Sequence, residues 1–169
     1  MTPTVSRRLG SLLYESLVIL AVVLLVVALF SFITVAFPGL GFGRPALLGL
    51  CFVALGGYFI YSWQHGQTLA MLAWRIHIVD ANGGSLTLGR ACLRFVLGWV
   101  WVAPPLLLVA SLHPYTGTFA AALSAASAAT LAWVVLWAYA SKLNSGQQFW
   151  HDALAGTRLE SGPPKPADA

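Results

Sequence analysis

The sequence is poor in charged residues. Asp, Glu, Lys and Arg make up 8% of the 169 residues, whereas hydrophobic residues make up 59%. An ordinary soluble domain contains about 25% charged residues. A chain of this length cannot bury so much apolar surface in water, because a small domain has too much surface for its volume. The composition therefore excludes an ordinary soluble domain and predicts that a lipid bilayer covers much of the chain.

Several functional motifs are also missing. The two cysteines, Cys51 and Cys92, form no CxxC pair, so we expect packing residues rather than a disulfide framework or a metal site. No dense basic run is present, which excludes nucleic acid as a partner. No G-x-S-x-G motif or phosphate-binding glycine loop occurs, so we expect neither an enzyme nor a cofactor. The histidines are too scattered for a shared metal site: His65, His77, His113 and His151.

Long apolar runs dominate what is present. A membrane-spanning helix needs about 17–25 mainly apolar residues. We predict spans at about residues 12–37, 46–63, 95–112 and 118–139. The fold class is then an all-α membrane protein, a four-helix transmembrane bundle. Residues 1–160 form its one domain, and the Pro-rich residues 161–169 form a disordered tail.

Two segments outside the spans carry local patterns. Residues 74–80 alternate apolar and polar side chains, residues 81–84 read Ala-Asn-Gly-Gly, and residues 85–88 alternate again. Strand-like alternation on both sides of a turn predicts a small cytoplasmic β-hairpin. Residues 149–157 are aromatic and amphipathic, and they predict a C-terminal tail that lies on the membrane surface.

Lysine and arginine fall mainly on one side of the predicted bundle. Cytoplasmic loops of membrane proteins carry an excess of these residues. One side holds only Arg44. The other side holds the remaining eight: Arg7, Arg8, Arg75, Arg90, Arg94, Lys142, Arg158 and Lys165. We therefore predict a multi-pass membrane protein with both termini in the cytoplasm.

Three of these arginines are expected to face lipid headgroups. Arg90 and Arg94 lie four residues apart and share a helix face, and Arg75 lies in the same cytoplasmic segment. Long cationic side chains can cover apolar surface with their stems while the charged end reaches phosphate groups.

Four stretches give the whole chain a resemblance to the RDD family of small bacterial membrane proteins. They are Arg7-Arg8-Leu9-Gly10-Ser11-Leu12-Leu13, Gly66-Gln67-Thr68-Leu69-Ala70, residues 75–84, and His151-Asp152-Ala153-Leu154-Ala155-Gly156-Thr157. The arginine of the family name corresponds to Arg8, and the aspartate of the "HD" ending corresponds to Asp152. The family's first-helix aspartate corresponds to Glu15, which keeps the charge and lengthens the side chain. Met71 stands where the family often has lysine. The resemblance implies a location in the bacterial plasma (inner) membrane, and it implies transport, including ion exchange.

Arg8, Glu15 and Asp152 are the predicted site residues. Arg8 and Glu15 lie seven residues apart and therefore share a helix face. Asp152 can join them if the tail folds back, and His151 beside it is a possible pH-sensing neighbour. The cluster is interpreted either as an ion or proton site at the cytoplasmic mouth or as a clasp that pins the tail to the first helix.

Two functions follow from these alternatives. One is a small transporter or ion/proton exchanger. The other is a non-catalytic accessory or assembly subunit of a larger membrane complex. The expected partners are membrane lipids and either further copies of the chain or a larger membrane-protein complex. The span interiors contain only small uncharged polar residues, so the charged site is expected at the cytoplasmic mouth and not across the bilayer.

Overall fold

The computed structural model describes residues 3–116 and 150–162, together with residues 118, 120–121, 131–133, 135–136 and 139–140. Its first helix, α1, runs from Val5 to Ala36. Thr4 caps the N-terminus, since its side chain accepts a hydrogen bond from the Arg7 amide at 3.4 Å. The helix ends before Pro38, which begins a short 3₁₀ turn at Pro38–Leu40.

The second long helix, α2, covers Arg44–Gln64 and has Pro45 in its first turn, where proline costs no hydrogen bond. A short helix, α3, follows at Leu69–Ala73. Thr68 caps α3, because its hydroxyl accepts from the Met71 amide at 3.2 Å.

Helices α1 and α2 are long and apolar enough to cross a membrane, and few of their residues are buried within the protein. They contain the first two predicted spans. The predicted third span lies within α4, Leu88–Thr116. Most of the predicted fourth span lies outside the described residues, so the four-span bundle stays a prediction. The last described elements are a short helix, α5, at Trp150–Leu154 and a strand, β2, at Thr157–Ser161.

The predicted hairpin is wrong in its second strand. The first strand, β1, does form at Ile76–Asp80. Its antiparallel partner is β2 and not residues 85–88, with Ile78 opposite Leu159. The turn after β1 is present, and Gly83 has the positive φ of 88° that suits glycine. The chain then leaves the sheet, because Leu86 enters the apolar core from the connection to α4.

The core lies beneath this two-stranded sheet, at one end of the long helices. Its buried members are Trp63, Ile76, Ile78, Leu86, Phe95 and Leu159. In the C-terminal segment, α5 and β2 pack against α4 and β1, and the place of this segment on the membrane surface stays a prediction. Leu159 contributes an apolar side chain to the core, which explains why this segment folds inward. Ser161 ends β2, and residues 163–169 lie outside the described part of the chain.

Candidate functional site

The site begins on one face of α1. Four described residues of this helix are buried, and three of them are polar: Arg8, Ser11 and Glu15. Their spacing of three and four residues places them on one side of the helix. The neighbouring Arg7 is exposed. Arg8 Nε donates a hydrogen bond to the Pro3 carbonyl at 3.1 Å.

Glu15 lies between three elements. Its Oε1 accepts a hydrogen bond from the Tyr58 hydroxyl of α2 at 2.8 Å. Its Oε2 accepts one from the Thr68 hydroxyl, just before α3, at 2.5 Å. Glu15 is 7% exposed, so these two hydroxyls replace much of the water that a carboxylate would otherwise bind.

Asp152 of α5 meets Arg94 of α4. The Arg94 Nη1 donates to Asp152 Oδ1 at 2.7 Å, and the two side chains are 5% and 0% exposed. The Arg94 guanidinium also lies over the Trp63 ring, 4.5 Å from its centroid, a cation–π geometry. Thr157 donates to the Asp152 carbonyl at 3.1 Å, which ties α5 to the start of β2.

Electrostatic interactions join these groups into one cluster. Arg94 interacts with both Asp152 and Glu15, and Arg8 interacts with Asp152. We call Arg8, Glu15, Arg94 and Asp152 the charge cluster. Two cations face two carboxylates, so the cluster is neutral when all four side chains are ionised. Buried charges need such compensation, because an isolated ion in an apolar medium is very costly.

The structure therefore brings the three sequence-predicted site residues, Arg8, Glu15 and Asp152, into one network. It corrects the prediction for Arg94, which does not face lipid headgroups but lies buried between Trp63 and Asp152. Arg90, one turn earlier, stays at the surface and pairs with Asp80 at 3.1 Å. Arg75 is exposed and has a positive φ of 52°. The side chain of His151 lies outside the described residues.

Sequence reasoning missed Tyr58, Thr68 and Trp63 as parts of the site. Tyr58 and Trp63 lie at the end of the second predicted span, where aromatic residues are typical of the membrane interface. Thr68 lies in the Gly66-Gln67-Thr68 stretch that carries the resemblance. The available signal for Thr68 is its type and place, because threonine is a favoured residue immediately before a helix.

A separate acidic group lies at the turn after β1. Asp80 Oδ1 accepts hydrogen bonds from the backbone amides of Gly84 and Asn82, each at 2.8 Å. The Gly84 amide is the main reason why the pKa of Asp80 lies below its ordinary value, with Asn82 and Arg90 acting in the same direction. This carboxylate is a fixed anion that shapes the turn.

Long apolar helices with little internal burial, joined at one end by a polar layer around a buried charge cluster, define a membrane-associated helical protein. A comparison with protein-family models gives the same class. The chain belongs to the RDD family, whose model matches residues 2–156. No curated protein and no solved structure matches significantly.

Proposed function

We propose that this protein is a small membrane transporter, an ion or proton exchanger, with the charge cluster as its site at the cytoplasmic mouth. The supporting observation is that four ionisable side chains are buried together where α1 enters the apolar part of the molecule. Ionisable groups at such places are rare, and they often mark ion pathways or proton relays. We propose no enzymatic activity.

The proposed topology is multi-pass, in the plasma membrane of a bacterium, with both termini in the cytoplasm. The distribution of lysine and arginine supports this orientation, because Arg44 alone falls on the opposite side. Single cysteines introduced at residue 43 and at residue 162, in a cysteine-free background, would test it. An impermeant thiol reagent applied to intact cells should label residue 43 and not residue 162.

Ion flux in reconstituted vesicles tests the exchange function. Glu15→Gln and Asp152→Asn remove one charge each while almost preserving side-chain shape. We expect each to reduce flux at least tenfold. Arg8→Gln should do the same, whereas Arg7→Gln, its exposed neighbour, should leave flux near the parent rate. Equal flux in the parent protein and the Glu15 and Asp152 variants would contradict an exchange role for the cluster.

A second function is favoured by the close contacts within the cluster. Glu15 receives two hydrogen bonds and Asp152 pairs closely with Arg94. A cluster of this kind can act as a clasp that fastens α5 to the helices in an accessory subunit of a larger complex. The intact mass of the protein extracted in gentle detergent separates the two proposals. A homo-oligomer favours exchange, and a stoichiometric larger partner favours the accessory role.

A further inference from the structure

The two carboxylates of the charge cluster have different kinds of partner. Glu15 is hydrogen-bonded by two hydroxyl groups, which can both donate and accept. Asp152 is bonded by a guanidinium, which can only donate. The Tyr58 oxygen in addition interacts with the Thr68 hydroxyl and with the Leu69 amide. Tyr58 and Thr68 thus both bond Glu15, and their hydroxyl groups lie near each other.

We propose that Glu15 is the proton-binding group of the cluster, and that Tyr58 and Thr68 accommodate both of its protonation states. In the ionised state the two hydroxyls donate to Oε1 and Oε2. When one proton adds to Oε2, the new O–H donates to Thr68, Thr68 donates to Tyr58, and Tyr58 still donates to Oε1. Every hydroxyl hydrogen keeps an acceptor, and no bond between heavy atoms changes. Both states are satisfied by rotating hydroxyl hydrogens alone.

Asp152 is held in a different way. Its Oδ1 accepts from the Arg94 guanidinium, which offers no lone pair to a proton on that oxygen. Protonation would also leave the Arg94 guanidinium, with its side chain 5% exposed, without its closest anion. Such a loss is expensive in a buried ion pair. Asp152 therefore remains the fixed anion of the cluster.

The charges around Glu15 determine which movement of charge must accompany proton uptake. Arg8 faces the cluster from α1, Arg94 from α4 and Asp152 from α5, whereas the described contacts from α2 and from the start of α3 are hydroxyl groups. With Glu15 ionised the four charges sum to zero, and with Glu15 protonated one positive charge is in excess. An arriving anion or a departing cation offsets that excess. This inference rests on the proposed exchange function, but its test does not require a transport measurement.

Infrared spectroscopy of the purified protein in lipid vesicles, recorded as the pH is lowered, detects the carbonyl stretch of a protonated carboxylic acid. The chain has only two glutamates, Glu15 and Glu160. Incorporation of ¹³C-labelled glutamate into the otherwise unchanged protein should shift a titrating band, and the band should persist in Glu160→Gln. The proposal would be overturned if the titrating band did not shift with labelled glutamate, if it shifted only with labelled aspartate, or if no band titrated.

Variants of Tyr58 and Thr68 test whether their hydroxyl groups accommodate both protonation states of Glu15. Tyr58→Phe removes the donor to the Glu15 carbonyl oxygen, and Thr68→Val removes the acceptor for its proton. Both should move the band to higher frequency, because weaker hydrogen bonding stiffens the carbonyl bond. Thr68→Ser keeps the hydroxyl and should leave the band in place. An unchanged frequency in both hydroxyl-free variants would contradict the assignment.

The proton-binding and exchange proposals fail in different ways. A Glu15 band that titrates in a protein without flux would refute exchange and leave proton binding intact. Flux with no titrating Glu15 band would refute proton binding and leave exchange intact.

Discussion

At the scale of single residues, two aspartates show how the environment sets the role of a carboxylate. Asp80 ends β1 and accepts hydrogen bonds from backbone amides of the following turn. Asp152 is fully buried and accepts a hydrogen bond from Arg94. Backbone donors hold a local conformation, whereas a buried ion pair joins distant elements. We therefore expect different losses of stability when the partners of the two residues are changed.

The lowered pKa of Asp80 gives a pH-dependent prediction. A carboxylate with a depressed native pKa contributes stability that is complete above its unfolded pKa, about 3.9, and is lost as pH falls through the native value. Asp80→Asn removes this contribution. The melting temperatures of the parent protein and the variant should therefore differ most at about pH 7 and converge as pH falls below about 4. Thermal unfolding in detergent across this range measures it, and a constant difference would contradict the role given to Asp80.

Arg94 and Arg90 form a matched pair on one helix. Arg94→Gln leaves the buried Asp152 without its closest cation and should lower the free energy of unfolding by about 3–5 kcal/mol. Arg90→Gln breaks a half-exposed pair and should cost about 0–1 kcal/mol. Denaturant titration in mixed micelles measures both changes. Similar losses in the two variants would show that Arg94 is not held as described.

At the scale of elements, the contact between α1 and the end of α3 depends on a missing side chain. A Cβ added at Gly10 would lie 2.4 Å from Cη2 of the Trp74 ring. Real Cβ atoms do not approach a ring carbon so closely, so the indole uses the space that glycine leaves. Gly10 therefore lets Trp74 pack directly on the α1 backbone.

Gly10→Ala should accordingly destabilise the protein by about 1–3 kcal/mol, the usual cost of overpacking. Gly49→Ala in α2 is the control, because nothing lies within 4 Å of its added Cβ, and alanine favours a helix over glycine. Thermal unfolding of both variants checks the contrast. Gly10→Ala should cost much less in a Trp74→Ala background, and equal costs in the two backgrounds would disprove the contact.

The sequence predicts elements better than it predicts their partners. Alternation over residues 74–80 correctly indicates β1, because that pattern is local. The Asn-Gly-Gly turn then favours pairing with the next residues, whereas β1 pairs with residues 157–161. Similarly, the spacing of Arg90 and Arg94 shows that they share a helix face. It does not show whether that face meets lipid or Asp152, which depends on packing between distant segments.

At the scale of the whole molecule, the two ends of the described chain meet. Arg8 lies near the start of α1, and Asp152 lies in the last helix, yet they belong to one cluster. The resemblance in the sequence could name both residues, because they correspond to the arginine and to the "HD" aspartate of the family's motifs. It could not supply the hydroxyl groups of Tyr58 and Thr68, since these residue types are common at helix ends and interfaces.

Truncation tests the structural role of the C-terminal segment. A chain that ends at Gly156 lacks β2 and should lose part of the hydrogen-exchange protection of β1, because the amides that pair with β2 lose their partners. The Ile78 and Asp80 amides should stay protected, since they donate to the Gly66 and Gly84 carbonyls. A chain that ends at Gly162 keeps β2 and should retain the other part of the protection as well. Exchange measured by mass spectrometry over residues 76–80 distinguishes the two. Equal protection would mean that β2 is dispensable for β1.

The pairing of Arg94 with Asp152 also imposes an order in time. The two residues are 58 positions apart, so the ribosome releases the arginine well before its carboxylate has been translated. Until then, the growing chain contains both cations of the cluster, Arg8 and Arg94, but only one of its carboxylates, Glu15. Charge balance at this end is reached only after Asp152 has been translated. A product that terminates between Arg94 and Asp152 thus leaves the cluster with one positive charge in excess, and the cost of burying that charge makes it less stable.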